Sequence, residues 1–331
     1  MDDHKNYASF KEPHITHIPL QSISRLAPFS ALIISLILVI YFLIRFYFLE
    51  GFLLRKVYGK IYTQMNEITR RGFVNHHIAG ATKILILIIA AYPFVDVAFV
   101  HADLHTPFAG SKYVTMGDIL IVAAQMLIAM YVFELFYRRK ISPVSAGHHI
   151  GTIIIGQVAI AINFRLAWEK DATIEFILCT VWGAFDIVSE FLPHVSIILY
   201  RVYPTSHQFL RKVFVISCIT TFTGTILETI VTMWLFGSLW KRWTMAFKVT
   251  TPMLHTLFAA AQMWGSWNFY KMYQRQKRLM AGEERLAGDV EFGSEDSKVS
   301  KAAKPRSDTR EASDIELTAG SESGISKNTI P

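Results

Sequence analysis

Repeated apolar blocks, each long enough to cross a bilayer, constrain this chain more than any other feature. A hydrocarbon core of about 30 Å needs about 20 apolar helical residues, and a spanning segment must satisfy its own backbone, so only helices or closed barrels qualify. Candidate spans fall at 28–49, 80–100, 116–137, 148–168, 172–192, 213–236 and 249–270. The expectation is an all-α membrane protein with about seven transmembrane helices. Pro193 is expected to end the fifth span, leaving 193–202 as a short re-entrant or interfacial piece. Arg45 stands near enough to the end of the first span to snorkel.

The segments around the spans are different in kind. Residues 1–27 form a polar N-terminal segment in which no cleavable signal peptide is visible, so the first apolar block is expected to target and anchor the chain. Residues 28–278 make the transmembrane region, and 279–331 are expected to be a disordered cytosolic tail. From Gly282 onward Phe292 is the only aromatic residue, and too little apolar surface remains to offset ordering entropy. Cys179 and Cys218 lie inside apolar blocks and imply no disulfide framework.

The net charge of +7 does not point to nucleic acid. Residues 1–270 hold 22 Lys and Arg against 15 Asp and Glu, while 271–331 hold 11 against 11. The excess therefore belongs to the membrane part, where basic residues mark cytosolic connections. Arg55, Lys56, Lys60, Arg70 and Arg71 follow the first span; Arg138, Arg139 and Lys140 follow the third; Arg201, Arg211 and Lys212 follow the fifth. Seven helices then place the N-terminus in the lumen and the C-terminus in the cytosol. The connection at 237–248 opposes this, because it carries Lys241, Arg242 and Lys248.

Polar side chains inside spans are costly and therefore informative. His148 and His149 open the fourth span. Neighbouring helix positions point about 100° apart, so at least one ring is expected to look inward. Such a histidine can be a general base, a nucleophile or a metal ligand; the alternative is solvation at the headgroup level. Glu134 lies in the third span with Tyr131 and Tyr137 nearby. Asp186, Glu190 and His194 follow at four-residue spacing, which shares one helical face provided Pro193 does not break the register. Two such carboxylates repel unless a cation or histidine sits between them. An acid/base group, an orienting partner for His148 or His149, a divalent-metal ligand and a hydrated helix end all remain open for them.

Asp96, Asn163, Glu175, Glu228, His255, Gln262 and Asn268 are expected mainly to hydrogen-bond between helices. His255 and Gln262 share a face that could line a cavity. His76 and His77 are expected in a solvent-exposed loop. No P-loop, GxSxG, HExxH or CxxC occurs, so nucleotide hydrolysis, serine hydrolysis and zinc-finger chemistry lack support. No resident cofactor or metal is expected.

The run YVFELFYRRKISPVSAGHHIGTIIIGQ, with His148, His149 and Thr152 in a His-His-x-x-Thr start, resembles the TLC-domain family, whose best-known members are the ceramide synthases. GAFDIVSEFLPHVSIILYR is similar to that family's acidic stretch, and TLFAAAQMWGSWNFYKMYQRQ to its final helix. The resemblance spans about residues 50–278. It implies a helical bundle around a membrane cavity in the endoplasmic reticulum, and acyl transfer from acyl-CoA to a lipid amine or hydroxyl. It would assign His148, His149 and Asp186 as catalytic. Among the polar residues in the spans, Glu134, Asn163, Glu190, His255 and Gln262 are candidate cavity-lining residues. Membrane lipids and acyl-CoA would be the partners. Asn163 and Arg165 loosely echo an Asn…Arg pattern. The chain departs from the ceramide synthases where two aspartates stand three apart, since Asp186 is followed by Ser189 and Glu190. QVAIAI also replaces a Ser-Tyr pair. The alternative is a non-catalytic lipid binder or regulator of membrane composition.

Overall fold

A computed structural model of the chain describes residues 12–163 and 172–292; Arg165 and the tail beyond Phe292 lie outside them. Seven long helices account for most of these residues: α1 (Ala27–Tyr58), α2 (Glu67–Val100), α3 (Met116–Tyr137), α4 (Pro143–Ile162), α5 (Ala172–Val202), α6 (His207–Ser238) and α7 (Met245–Phe292). The first six are long and apolar enough to cross a membrane. No strand is found among the described residues.

The seventh expected span falls in α7, which is less apolar than the other six. Four of its polar residues face inward: His255, Gln262, Ser266 and Gln276 are buried. Met253, Leu257, Trp264 and Trp267 point outward. An average over the helix thus understates how apolar its outer face is. The helix runs on to Phe292.

Three further expectations are corrected. α2 begins at Glu67 rather than near residue 80, with the Asn66 side chain accepting from Thr69 N at 2.8 Å. Its polar first turns hid the start, and they put His76 and His77 on a helix, both partly buried. α5 runs unbroken through Pro193 to Val202. Proline removes the bond to the carbonyl four residues back, here that of Ser189; the Thr221 hydroxyl of α6 donates to that carbonyl at 3.4 Å. The register of Asp186, Glu190 and His194 is therefore kept. α1 continues past Arg45 to Tyr58 through a π-helical stretch over Ile44–Leu53, and Arg45 pairs with Glu50 at 3.0 Å.

The described part of the polar N-terminal segment, residues 12–26, is a strap across one end of the bundle. The Ile23 N–H donates to Asn163 Oδ1 at 2.9 Å, Ser24 Oγ to Asp118 Oδ1 at 2.5 Å, and Thr173 Oγ1 to the Gln21 carbonyl at 2.6 Å. The Arg242 guanidinium donates to the carbonyls of Thr16 and Ile18 at 3.1 Å. Gly117 lets the strap pass, because a Cβ there would lie 1.9 Å from the Ile23 carbonyl oxygen. The strap gathers the ends of α3 to α7 on one face and leaves the connections 59–66, 138–142 and 203–206 on the other. Arg242 thus has a structural role on the strap face. Lys248 also has one, its ammonium standing 4.9 Å from the Trp240 ring.

Candidate functional site

The histidine pair owes its position to a short connection. α3 ends at Tyr137, and α4 restarts at Pro143, where Ser142 Oγ accepts from Ser145 N at 3.1 Å. Proline suits a first helical position because its missing N–H has no partner there anyway. The tight reversal lays the second turn of α4 against the last turns of α3. Both rings are buried, with side-chain exposures of 8% for His148 and 9% for His149. Tyr131 stacks on His149 at 4.3 Å and meets His148 edge-on at 5.9 Å. Neither ring is solvated at a headgroup level.

Each histidine faces its own acid. His149 Nε2 lies 3.5 Å from Glu134 Oε1, and Arg138 holds the same oxygen at 2.6 Å. His148 Nε2 lies 3.5 Å from Asp186 Oδ1 and 3.8 Å from Glu190 Oε1. The Tyr131 hydroxyl donates to the other Asp186 oxygen. Between the two acids stands Lys83, whose side chain is fully buried: its ammonium is 3.0 Å from Glu190 Oε2 and donates to the Asp186 backbone carbonyl at 3.2 Å.

Charge counting separates the two histidines. Glu134 and Arg138 balance each other, so His149 sits in a neutral setting. Asp186 and Glu190 bring two negative charges against the one positive charge of Lys83. His148 therefore faces a net negative field. Both ring nitrogens of His148 and Asp186 Oδ1 are buried without a hydrogen-bond partner, the 3.5 Å between Nε2 and Oδ1 being an ion-pair distance. One ligand atom each from His148, Asp186 and Glu190 falls within 4.8 Å of the others. That set could receive a divalent ion, but Lys83 already supplies the positive charge on Glu190.

His148 and Asp186 border a cavity of about 310 Å³ lined by residues of α2 to α7. Its wall is overwhelmingly apolar, with Ala90 and Phe94 from α2, Ala123 and Leu127 from α3, Gly156 from α4 and Phe176 and Gly183 from α5. Its other charged or amide groups are Glu228 and Gln262, joined at 2.9 Å across α6 and α7. An apolar chamber with a few convergent polar groups has the shape of a site for an amphiphile.

Of the residues expected to line a cavity, Gln262 does. Glu134, Asn163, Glu190 and His255 lie outside its wall. Glu134 is spent on Arg138 and His149, Glu190 on Lys83, and Asn163 on the strap. His255 accepts from Trp182 Nε1 at 3.2 Å and meets Thr229 Oγ1 at 3.0 Å. Lys83 is a further site residue; its signal in the sequence is a lone cation at the start of the apolar run 84–91. His194 was not expected to meet His76, yet their Nδ1 atoms are 2.9 Å apart. Only contact across helices shows that. No family model, curated protein or solved structure matches the chain.

Proposed function

We propose that this membrane protein acts on lipids, holding an alkyl or acyl chain in the cavity with its head at His148 and Asp186. The observation that carries this is the 3.5 Å approach of Asp186 to His148 at the wall of an otherwise apolar chamber. The reaction is acyl transfer from acyl-CoA to a lipid hydroxyl or amine, in keeping with the resemblance to the TLC family and with residence in the endoplasmic reticulum.

A carboxylate facing Nε2 favours the tautomer with its proton there, leaving a lone pair on Nδ1. That nitrogen serves as base or acyl carrier. As base, it takes the proton of the acceptor hydroxyl or amine while the acceptor attacks the thioester carbonyl. The carbon–sulfur bond then breaks, and the proton passes to the departing thiolate. Asp186 orients the ring and offsets the imidazolium charge; Tyr131 and Lys83 hold Asp186. The basic connection Arg138–Lys140 opens beside α4 and would attract the phosphates of an acyl-CoA from the cytosol. The strap face is then lumenal, as the distribution of basic residues suggests.

The alternative is a lipid binder or regulator that uses the same cavity without chemistry. It is favoured by the fact that most of the polar groups are tied to one another in internal pairs. Lipidomics of a deletion strain complemented with wild type or with His148→Ala/His149→Ala tests the proposal. A stably expressed double variant that fails to restore the lipid profile supports action at the pair. Full restoration by that variant removes both histidines from the function.

A further inference from the structure

On the face opposite the strap, basic side chains from two elements converge on one small pocket. Arg138, Arg139 and Lys140 come from the connection after α3, and Arg201 from the end of α5; Thr69, Gly72 and His76 from the first turns of α2 complete the lining. The rim is open, since Arg139 and Lys140 are exposed, and the enclosed floor of about 20 Å³ has room for one oxygen-sized group. Gly72 keeps that floor clear, because a Cβ there would meet nothing within 4 Å. His76 Nδ1 meets His194 Nδ1 at 2.9 Å. When His194 donates that bond, His76 carries its own proton on Nε2, its remaining polar atom. The lining also has a charge surplus. Arg138 holds Glu134 at 2.6 Å, and Glu67 is shared by Arg71 at 2.9 Å and Arg139 at 3.1 Å. Lys140 and Arg201 form no ion pair with any acid among the described residues; Arg201 only lies 5.3 Å from the Tyr200 ring.

We infer that this pocket binds a phosphomonoester, with one oxygen entering the floor beside Thr69 and His76 and the others meeting Lys140 and Arg201 at the rim. The charge of a phosphomonoester, close to −2, matches the two cations that lack an acid, and the planar guanidinium of Arg201 suits phosphate oxygens. A phosphodiester brings one negative charge and a second bulky ester group, so it fits less well. Two sources share the favoured chemistry: the headgroup of phosphatidic acid in the adjoining leaflet, and the 3′-phosphate of coenzyme A. The pocket is separate from the cavity at His148. His194, which meets His76, is eight residues beyond Asp186, about 12 Å along α5. Phosphate binding here needs nothing from that cavity.

The test uses the full-length protein. Native mass spectrometry in detergent compares phosphatidic acid with phosphatidylglycerol of the same acyl chains. Calorimetry in phosphatidylcholine nanodiscs compares coenzyme A with 3′-dephospho-coenzyme A. At least one comparison is expected to favour the phosphomonoester by about tenfold, and the one that does so identifies the source. Gly72→Leu fills the floor without removing a charge, and Lys140→Gln/Arg201→Gln removes the two charges without filling it; each should abolish the preference. The double variant carries the result if Gly72→Leu does not fold. Lys277→Gln/Arg278→Gln, which removes two exposed charges from α7, should leave the preference unchanged. No preference in either comparison overturns the proposal. So does a preference that survives in a folded pocket variant, or one that falls as far in Lys277→Gln/Arg278→Gln, since general attraction to basic residues would then account for it.

Discussion

The ammonium of Lys83 stands 3.0 Å from Glu190 Oε2 and is wholly buried between α2 and α5. It is the fixed cation that lets Asp186 and Glu190 share one helical face. Removing one partner of a buried pair strands the other charge, at a cost of about 3–5 kcal/mol. Lys83→Met should therefore lower the melting temperature of the detergent-solubilised protein sharply. Adding Glu190→Gln should recover much of the loss. If Lys83→Met alone melts like wild type, the ion pair does not hold the site.

Gly117 and the strap permit a second test. A methyl group at 117 meets the carbonyl oxygens of Ile23 and Leu104 at 1.9 and 2.9 Å, both backbone atoms that cannot rotate away. Gly117→Ala should push the strap off the bundle end. Maleimide labelling of a cysteine placed at Ile23, which is fully buried, should then become fast. Gly147→Ala, with nothing within 4 Å of its added methyl, should leave labelling slow. Equal labelling in the two backgrounds would show that the strap does not lie over Gly117.

These two sites also show what could be read in advance. Spans 116–137 and 213–236 carry their polar residues singly among long apolar runs, and the helices appear close to where expected. α2 and α5 extend further than hydropathy indicates. The polar turns of α2 around His76 are helical because Asn66 caps them, and Pro193 is tolerated because Thr221 satisfies the carbonyl it frees. Neither effect is visible without the neighbouring atoms. His148, His149 and Asp186 stood out by being costly in an apolar setting. Glu134 as the acid of His149 and Lys83 as the cation of Glu190 depend on helix rotation and pairing, which local pattern does not encode. The bond between Arg242 and the strap likewise explains why a basic connection lies on the face with fewer basic residues.

Topology provides a third test. If the strap face is lumenal and α7 crosses the membrane, a protease added to sealed microsomes should remove a C-terminal tag and spare an N-terminal one. Protection of both tags, or removal of the N-terminal tag alone, would reverse or break the seven-helix arrangement.

The central claim is that Asp186 sets the protonation pattern of His148 for chemistry, and Asp186→Asn tests it most directly. The amide keeps an oxygen for the Tyr131 hydroxyl. Its NH₂ would donate to Nε2, favouring the tautomer that puts the proton on Nδ1 and removes the lone pair from that side. Asp186→Ala is a poorer test, since the buried donor left unpaired can cost about 1–3 kcal/mol of stability. The measurement is the lipid profile of a deletion strain carrying Asp186→Asn, with protein abundance determined in parallel. The expected result is near-normal abundance with the profile of the deletion strain. A fully restored profile would contradict catalysis at His148 and favour a protein that only binds lipid.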